Sequence, residues 1–235
     1  MKLKFAFPAA VAATCLAFAG TARAAAYTET GDAGDLPATA QIVTGTGGTT
    51  LDSISGALTL TNNVSDGDMY EIYISSPSTF SASDTAFVAG KNNFDSQIFL
   101  FSASGLGLLA NDDSPSGGSQ SSIPAANFSG PAGLYYLCID GSGRYPVSST
   151  GLIFPNQNDA ANDDPTTVYG PTGPGGGNAV SGYTGNSSEA GSYVIALAGA
   201  QFVPAAAPEP GTYAGVLAGA AGLALLGRFR RRAAR

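Results

Sequence analysis

The run Met69-Tyr70-Glu71-Ile72-Tyr73-Ile74 alternates with a period of two: Tyr70, Ile72 and Ile74 share one face, Glu71, Tyr73 and Ser75 the other. Successive side chains of an extended backbone point to opposite sides, and aromatic and β-branched residues suit it, so this run predicts a strand. Ser96-Gln97-Ile98-Phe99-Leu100-Phe101 becomes apolar on both faces, as a central strand would. A turn at Ser104-Gly105 leads into Leu106-Gly107-Leu108-Leu109-Ala110, which predicts a hairpin. Gly133-Leu134-Tyr135-Tyr136-Leu137-Cys138-Ile139 carries the strongest strand signal and Ser192-Tyr193-Val194-Ile195-Ala196-Leu197 the last. Ile54 to Leu58 reads as a short first strand, and Phe80 to Phe87 as a fainter one. Away from the ends, few windows longer than about ten residues carry a helical stripe. Gly and Pro number 32 and 14 of 235 residues, together roughly a fifth against about 12% in average usage. Many short strands separated by turn residues predict an all-β chain, with a single jelly-roll-like β-sandwich over residues 27–202.

Within that body, Glu29 to Pro37 reads as a loop leading into the first strand. Residues 141–191 form an unusual excursion of Gly, Pro, Asn, Asp, Ser and Thr, most extreme at Pro171-Thr172-Gly173-Pro174-Gly175-Gly176-Gly177. Structureless loops beyond about 15 residues are uncommon in compact domains. The excursion is therefore either pinned to the body, with Leu152-Ile153-Phe154 and Val168-Tyr169 as the pins, or a disordered surface loop.

Charge divides the chain into three. Residues 27–207 hold 16 acids against two bases, Lys91 and Arg144, a net of −14. So acidic a surface repels phosphate backbones and argues against nucleic-acid partners. The chain has no histidine. That removes Ser-His-Asp and Cys-His catalysis, histidine-ligated zinc and the usual general base near neutral pH.

The two ends are cationic. Lys2 and Lys4 precede an uncharged apolar run from Phe5 to Gly20, and Ala22-Arg23-Ala24 supplies small residues at the expected cleavage positions. Residues 1–26 therefore read as a secretory signal peptide, a substrate of signal peptidase. At the other end Pro208-Glu209-Pro210 is followed by an uncharged stretch, Gly211 to Gly227, and then by Arg228-Phe229-Arg230-Arg231-Arg232. As a helix, about 211–227 would span ~25 Å at 1.5 Å per residue, marginal against a hydrocarbon core of about 30 Å. Arginine-rich flanks resist translocation, so both basic ends stay cytoplasmic and the acidic body lies outside. A plain C-terminal membrane anchor is the bland alternative.

Pro-Glu-Pro, a short apolar helix and an arginine cluster, in that order over residues 203–235, resemble the PEP-CTERM sorting signal of Gram-negative bacteria. The resemblance implies that Pro208, Glu209, Pro210, Arg228, Arg230, Arg231 and Arg232 form the signal, and that an exosortase at the inner membrane is the partner. It further implies removal of the helix and tail, and a destination at the cell surface or in an exopolysaccharide or biofilm matrix. In the body, Asp66-Gly67-Asp68-Met69-Tyr70-Glu71-Ile72, Phe94-Asp95-Ser96-Gln97-Ile98-Phe99-Leu100-Phe101, Leu109-Ala110-Asn111-Asp112-Asp113 and Gly133-Leu134-Tyr135-Tyr136-Leu137 resemble the bacterial pre-peptidase C-terminal domain. That family resemblance implies a small β-sandwich accessory to secreted enzymes, sometimes binding calcium or polymers; no peptidase domain accompanies it here.

Candidate chemistry is sparse. Asp66 and Asp68 flank a turn glycine, Asn111-Asp112-Asp113 follows a hairpin strand, and Asp159, Asp163 and Asp164 lie in the excursion. Carboxylates in turns more often cap the backbone than bind metal. If calcium binds, Asp112 and Asp113 are its first candidate ligands and Asp95 the next; no other cofactor is expected. Cys138, flanked by Leu137 and Ile139, reads as a buried hydrophobe, and without a second cysteine in the exported body it forms no internal disulfide. Paired carboxylates could hydrolyse glycosides, but among 16 acids no spacing singles out a pair. Tyr70, Tyr73, Tyr135, Tyr136, Tyr145 and Tyr183 could stack on sugars, yet strand tyrosines mostly pack. The glycine-rich stretch near Gly175 lacks the Lys-Ser or Lys-Thr and the helix of a phosphate cradle. The sequence therefore predicts a non-catalytic exported protein, with a calcium- or polysaccharide-binding module as the alternative.

Overall fold

The computed structural model describes residues 25–85, 94–156 and 164–204; the sorting-signal residues and nearly all of the signal peptide lie outside the described residues. Over these residues the fold is all-β, and the only helical elements among them are two three-residue 3₁₀ turns, Pro77–Thr79 and Ala125–Asn127. Its strands are β1 (Ala25–Thr28), β2 (Gln41–Ile42), β3 (Thr50–Leu58), β4 (Leu60–Thr61), β5 (Val64–Ser65), β6 (Asp68–Ile74), β7 (Ser81–Asp84), β8 (Ser96–Ser102) and β9 (Gly107–Asn111). They continue with β10 (Ser122–Ile123), β11 (Gly133–Gly141), β12 (Arg144–Ser148), β13 (Gly151–Leu152), β14 (Gly182–Gly185) and β15 (Gly191–Gln201). β1 starts two residues inside the segment read as signal peptide, and the lead-in loop follows it.

One mixed ten-stranded sheet runs β1-β3-β15-β6-β11-β8-β9, with β7 and β10 attached beside β15 and β2 beside β6. β1 runs parallel to β3 and β2 parallel to β6; the other ladders of this sheet are antiparallel. The long strand β15 changes partners along its length. On one side β3 follows Gly191–Ala196 and resumes at Ala200 and Gln201, whereas on the other side the partner changes from β7, along Ile195–Ala198, to Ile74 and Tyr73 of β6, opposite Ala200 and Gln201. The switch occurs at Gly199, whose φ of +71° suits glycine and where a Cβ would overlap the backbone of Ser76 and Phe80.

That bend lets apolar faces meet. Leu51, Ile54 and Leu58 of β3, Ala82 of β7, Ile123 of β10, and Tyr193, Ile195 and Leu197 of β15 join one buried cluster. The same cluster contains Tyr70, Ile72 and Ile74 of β6, Ile98 and Leu100 of β8, and Tyr135, Leu137 and Ile139 of β11. The intervening residues of those central strands, Met69, Phe99, Phe101 and Cys138, belong to a second cluster with Ala110, Ile153, Phe154 and Val180. Central strands apolar on both sides therefore read as continuous runs, since each face meets a different layer.

The second layer comes from the 141–191 excursion. β12, β13 and β14 form a small sheet in the order β13-β12-β14. Ile153 and Phe154, expected as pins, are buried, and Phe154 stacks on Phe99 at 5.8 Å between centroids. Tyr169, the other expected pin, exchanges both backbone hydrogen bonds with Ala110 at the edge of β9, at 2.8 and 2.9 Å. The glycine-rich stretch wraps round β13. Gly175 N–H donates to Leu152 O at 2.7 Å, and a Cβ there would overlap the Gly151 carbonyl. Glycine serves here for close backbone approach.

Candidate functional site

Three carboxylates converge where the N-terminal segment crosses the sheet. β1 lies parallel to β3 and continues into Glu29, whose N–H donates to Ser55 O at 2.9 Å. The Glu29 carboxylate is then fixed by two backbone donors: Ala33 N–H to Oε1 at 3.1 Å and Ala57 N–H to Oε2 at 3.0 Å. Gly56 makes room, because a Cβ there would overlap both the Tyr193 hydroxyl and the Glu29 carboxylate. Asp68 opens β6 and is 1% exposed. Its Oδ2 accepts a 2.6 Å hydrogen bond from Tyr193 Oη, which also bonds the Tyr70 hydroxyl, while Oδ1 has no hydrogen-bond partner. Exposed Asp32 completes the set. Glu29, Asp32 and Asp68 each offer an oxygen within 4.8 Å of the others.

Burial pushes Asp68 up to about 8, the Tyr193 hydrogen bond opposes that, and Glu29, Asp66 and Asp32 add repulsion. Burial also raises Glu29, against its two backbone donors. Clustered carboxylates that repel one another lower their energy by taking a proton or a cation. The sequence reading misses Glu29 and Asp32 because Asp32 and Asp68 are far apart along the chain. Only the pairing of β1 with β3, and of β3 and β6 with β15, brings them together.

Nearby, Arg144 is the only cation among the described residues. It sits above an open cleft of about 360 Å³ lined with Asp32, Asp35 and Asp66. Nη2 pairs with Asp35 at 2.5 Å and Nη1 with Asp140 at 2.5 Å, and Nη1 also donates to Asp66 O at 3.2 Å. The guanidinium lies 4.4 Å from the Tyr183 ring centroid, and the Tyr183 hydroxyl contacts Cys138 Sγ at 3.2 Å. These contacts tie β12 and β14 to the main sheet. Burial pushes Asp140 up to about 6 even with Arg144 beside it. Fully buried Cys138 has its thiol pushed up as well, the reverse of what a nucleophile needs.

The calcium candidates from the sequence lie elsewhere, around the start of β8 and the end of β9. Asp95 N–H donates to Glu189 Oε2 at 3.1 Å, and Asp95 O accepts from Ser142 N–H at 2.8 Å. Ser142 Oγ donates to Asp112 Oδ2 at 3.3 Å, while Asp113 N–H donates to Pro165 O at 2.9 Å. Burial, then the charges of Asp113 and Glu189, push Asp95 up to about 6. Asn111 does turn work: its amide donates to Pro165 O and Thr167 O and its oxygen accepts from Ser122 N–H. Asp164 caps Thr166 through both backbone and hydroxyl, and Asp159 and Asp163 lie outside the described residues.

Of the tyrosines weighed for sugar stacking, Tyr70, Tyr135 and Tyr145 are buried and Tyr73, Tyr136 and Tyr183 half-buried. The Tyr183 ring is also taken by Arg144. Comparison of the chain with protein-family models, curated proteins and solved structures finds no match to any of them. No helix among the described residues is long and apolar enough to cross a membrane, and the stretch expected to do so, about 211–227, lies outside them.

Proposed function

We propose that this chain is a non-catalytic exported protein of the cell envelope or extracellular matrix of a Gram-negative bacterium. Its body is a β-sandwich of jelly-roll type, folded over at β15, and residues 203–235 are its sorting signal. In this reading signal peptidase removes the N-terminal segment. An exosortase then recognises Pro208-Glu209-Pro210 while the following helix and Arg228, Arg230, Arg231 and Arg232 hold the tail in the inner membrane. The single observation that carries it is the opposition of charge: cationic ends flank a body with 16 acids and two bases. Positively charged flanks are retained on the cytoplasmic side, whereas an acidic body has no such bar to crossing. An acidic coat also stays dispersed in a hydrated matrix with exopolysaccharide. The intact mass of the protein recovered from its host tests this. The expected mass lacks about the first two dozen residues and everything near or after Pro210. A mature protein that keeps Arg235 overturns the sorting assignment and leaves the plain anchor.

A second reading, a divalent-cation-binding module, is favoured by the convergence of Glu29, Asp32 and Asp68 and by the bare, buried Asp68 Oδ1. Calcium takes six to eight hard oxygens, and three carboxylates with carbonyls and waters can provide them. An ion there would clamp the segment after β1 onto β6. Calorimetric titration of the chelator-stripped chain with calcium should show binding that Glu29→Gln weakens at least tenfold. Unchanged binding in that variant would remove this site.

A further inference from the structure

Gln97, the second residue of β8, is fully buried, and neither its Oε1 nor its Nε2 has a hydrogen-bond partner. A buried amide without partners is rare in native proteins and calls for an occupant. Its place in the ladder indicates what faces it. On one side β8 sets Gln97 opposite Asp140 of β11, whose carboxyl is taken by Arg144 and the Gly141 N–H. On the other side Ile98 lies opposite Asn111 of β9, so Gln97 is level with Asp112, the next residue. Residues two apart along an extended chain share a face, which puts Asp95 beside Gln97. Asp95 Oδ1 is likewise buried without a hydrogen-bond partner.

We propose that Asp95, Gln97 and Asp112 form a site for a hard divalent cation of the calcium class, with Asp113 and Glu189 adding negative charge around it. The donor set is carboxylate and amide oxygen, with no imidazole or thiolate, which suits calcium and disfavours zinc. It shares no residue with the Glu29 cluster and does not depend on it. The position gives the ion a purpose. Ser142 lies at the start of the excursion and Glu189 near its end, and both are hydrogen-bonded to Asp95, with Ser142 also reaching Asp112. An ion here fastens both feet of the excursion to the ends of β8 and β9, the role a disulfide plays in cysteine-rich chains.

The test uses the full-length chain in detergent, stripped with chelator, with calcium alone as the probe. Calorimetry counts sites, and the melting temperature is followed with and without the ion. Gln97→Leu should bind calcium at least tenfold more weakly at one site while melting no lower than wild type in chelator, because an unpartnered amide has been replaced by hydrocarbon. Gln97→Glu adds a charged ligand and should bind about tenfold more tightly at that site. Glu29→Gln should leave this site untouched. Equal calcium binding by wild type, Gln97→Leu and Gln97→Glu would overturn the proposal. So would a wild type whose calcium binding disappears entirely in Glu29→Gln.

Discussion

Replacing Arg144 with methionine should destabilise the fold by about 3–5 kcal/mol, read from urea unfolding at neutral pH. The Arg144 side chain is 13% exposed and its guanidinium faces the Asp140 carboxyl, whose side chain is wholly buried. Methionine keeps much of the side-chain volume over Tyr183 but leaves Asp140 without its counter-charge. Truncating one partner of a buried pair is costly mainly because the other charge stays behind. Burial already pushes Asp140 up to about 6 in the presence of Arg144; without it, the carboxyl would have to take a proton to remain inside. The methionine variant should therefore regain stability as the pH is lowered towards 5. Adding Asp140→Asn should restore a large part of the loss at neutral pH, since a neutral amide tolerates the site without a cation. Asp35 is a lesser partner because it is 28% exposed, and exposed pairs contribute at most about 1 kcal/mol. If the single and double variants are equally unstable at every pH, the buried charge is not the cause.

Much of this arrangement is legible in the chain, and the boundary has a physical origin. Met69 to Ile74, Ser96 to Phe101 and Gly133 to Ile139 announce themselves as strands because periodicity is local, and all three are central strands. The two-faced apolar pattern of Ser96 to Phe101 also forecasts a layer on each side, supplied by the two clusters. The excursion is half-readable. Ile153, Phe154 and Tyr169 stand out as pins, but β12 and β14 do not, because Arg144–Ser148 and Gly182–Gly185 are short and hold Pro or Gly where strand formers are expected. The carboxylate sites follow the same rule. Asp95, Asp112 and Asp113 are visible as acids in turns, whereas Gln97 passes as an ordinary strand residue; what sets it apart is burial without a partner. Glu29 and Asp32 look like loop residues until a parallel strand pair places them beside Asp68. Side-chain chemistry assembled by long-range pairing leaves no spacing to read.

Measured in chelator, the protein should be more stable at pH 5 than at pH 8, the reverse of ordinary acid denaturation. The acids responsible are raised in the fold: Asp68 to about 8, and Asp95 and Asp140 to about 6, with Glu29 and Asp113 raised as well. In the unfolded chain aspartate titrates near 3.9 and glutamate near 4.3. Between about pH 4 and pH 8 the unfolded chain has therefore lost protons that the folded chain still holds. Stability then falls as pH rises, because its slope follows the protons bound by the unfolded state minus those bound by the folded one. The loss begins near pH 4 and is complete once the pH passes the Asp68 value. Each tenfold difference in proton affinity between the folded and unfolded chain is about 1.4 kcal/mol. Asp68 alone therefore contributes a few kcal/mol, enough to lower the melting temperature by roughly 10 °C across the range. General repulsion within an acidic body acts in the same direction, so the decisive comparison is Asp68→Asn. That substitution keeps an acceptor for the Tyr193 hydroxyl and removes the ionisation. It should flatten the decline above about pH 7, where Asp95 and Asp140 have largely titrated, and make the variant the more stable protein at pH 8. A wild-type melting temperature that climbs steadily from pH 5 to pH 8 would mean that Asp68 is ionised in the fold, and that its surroundings stabilise the charge instead of excluding it.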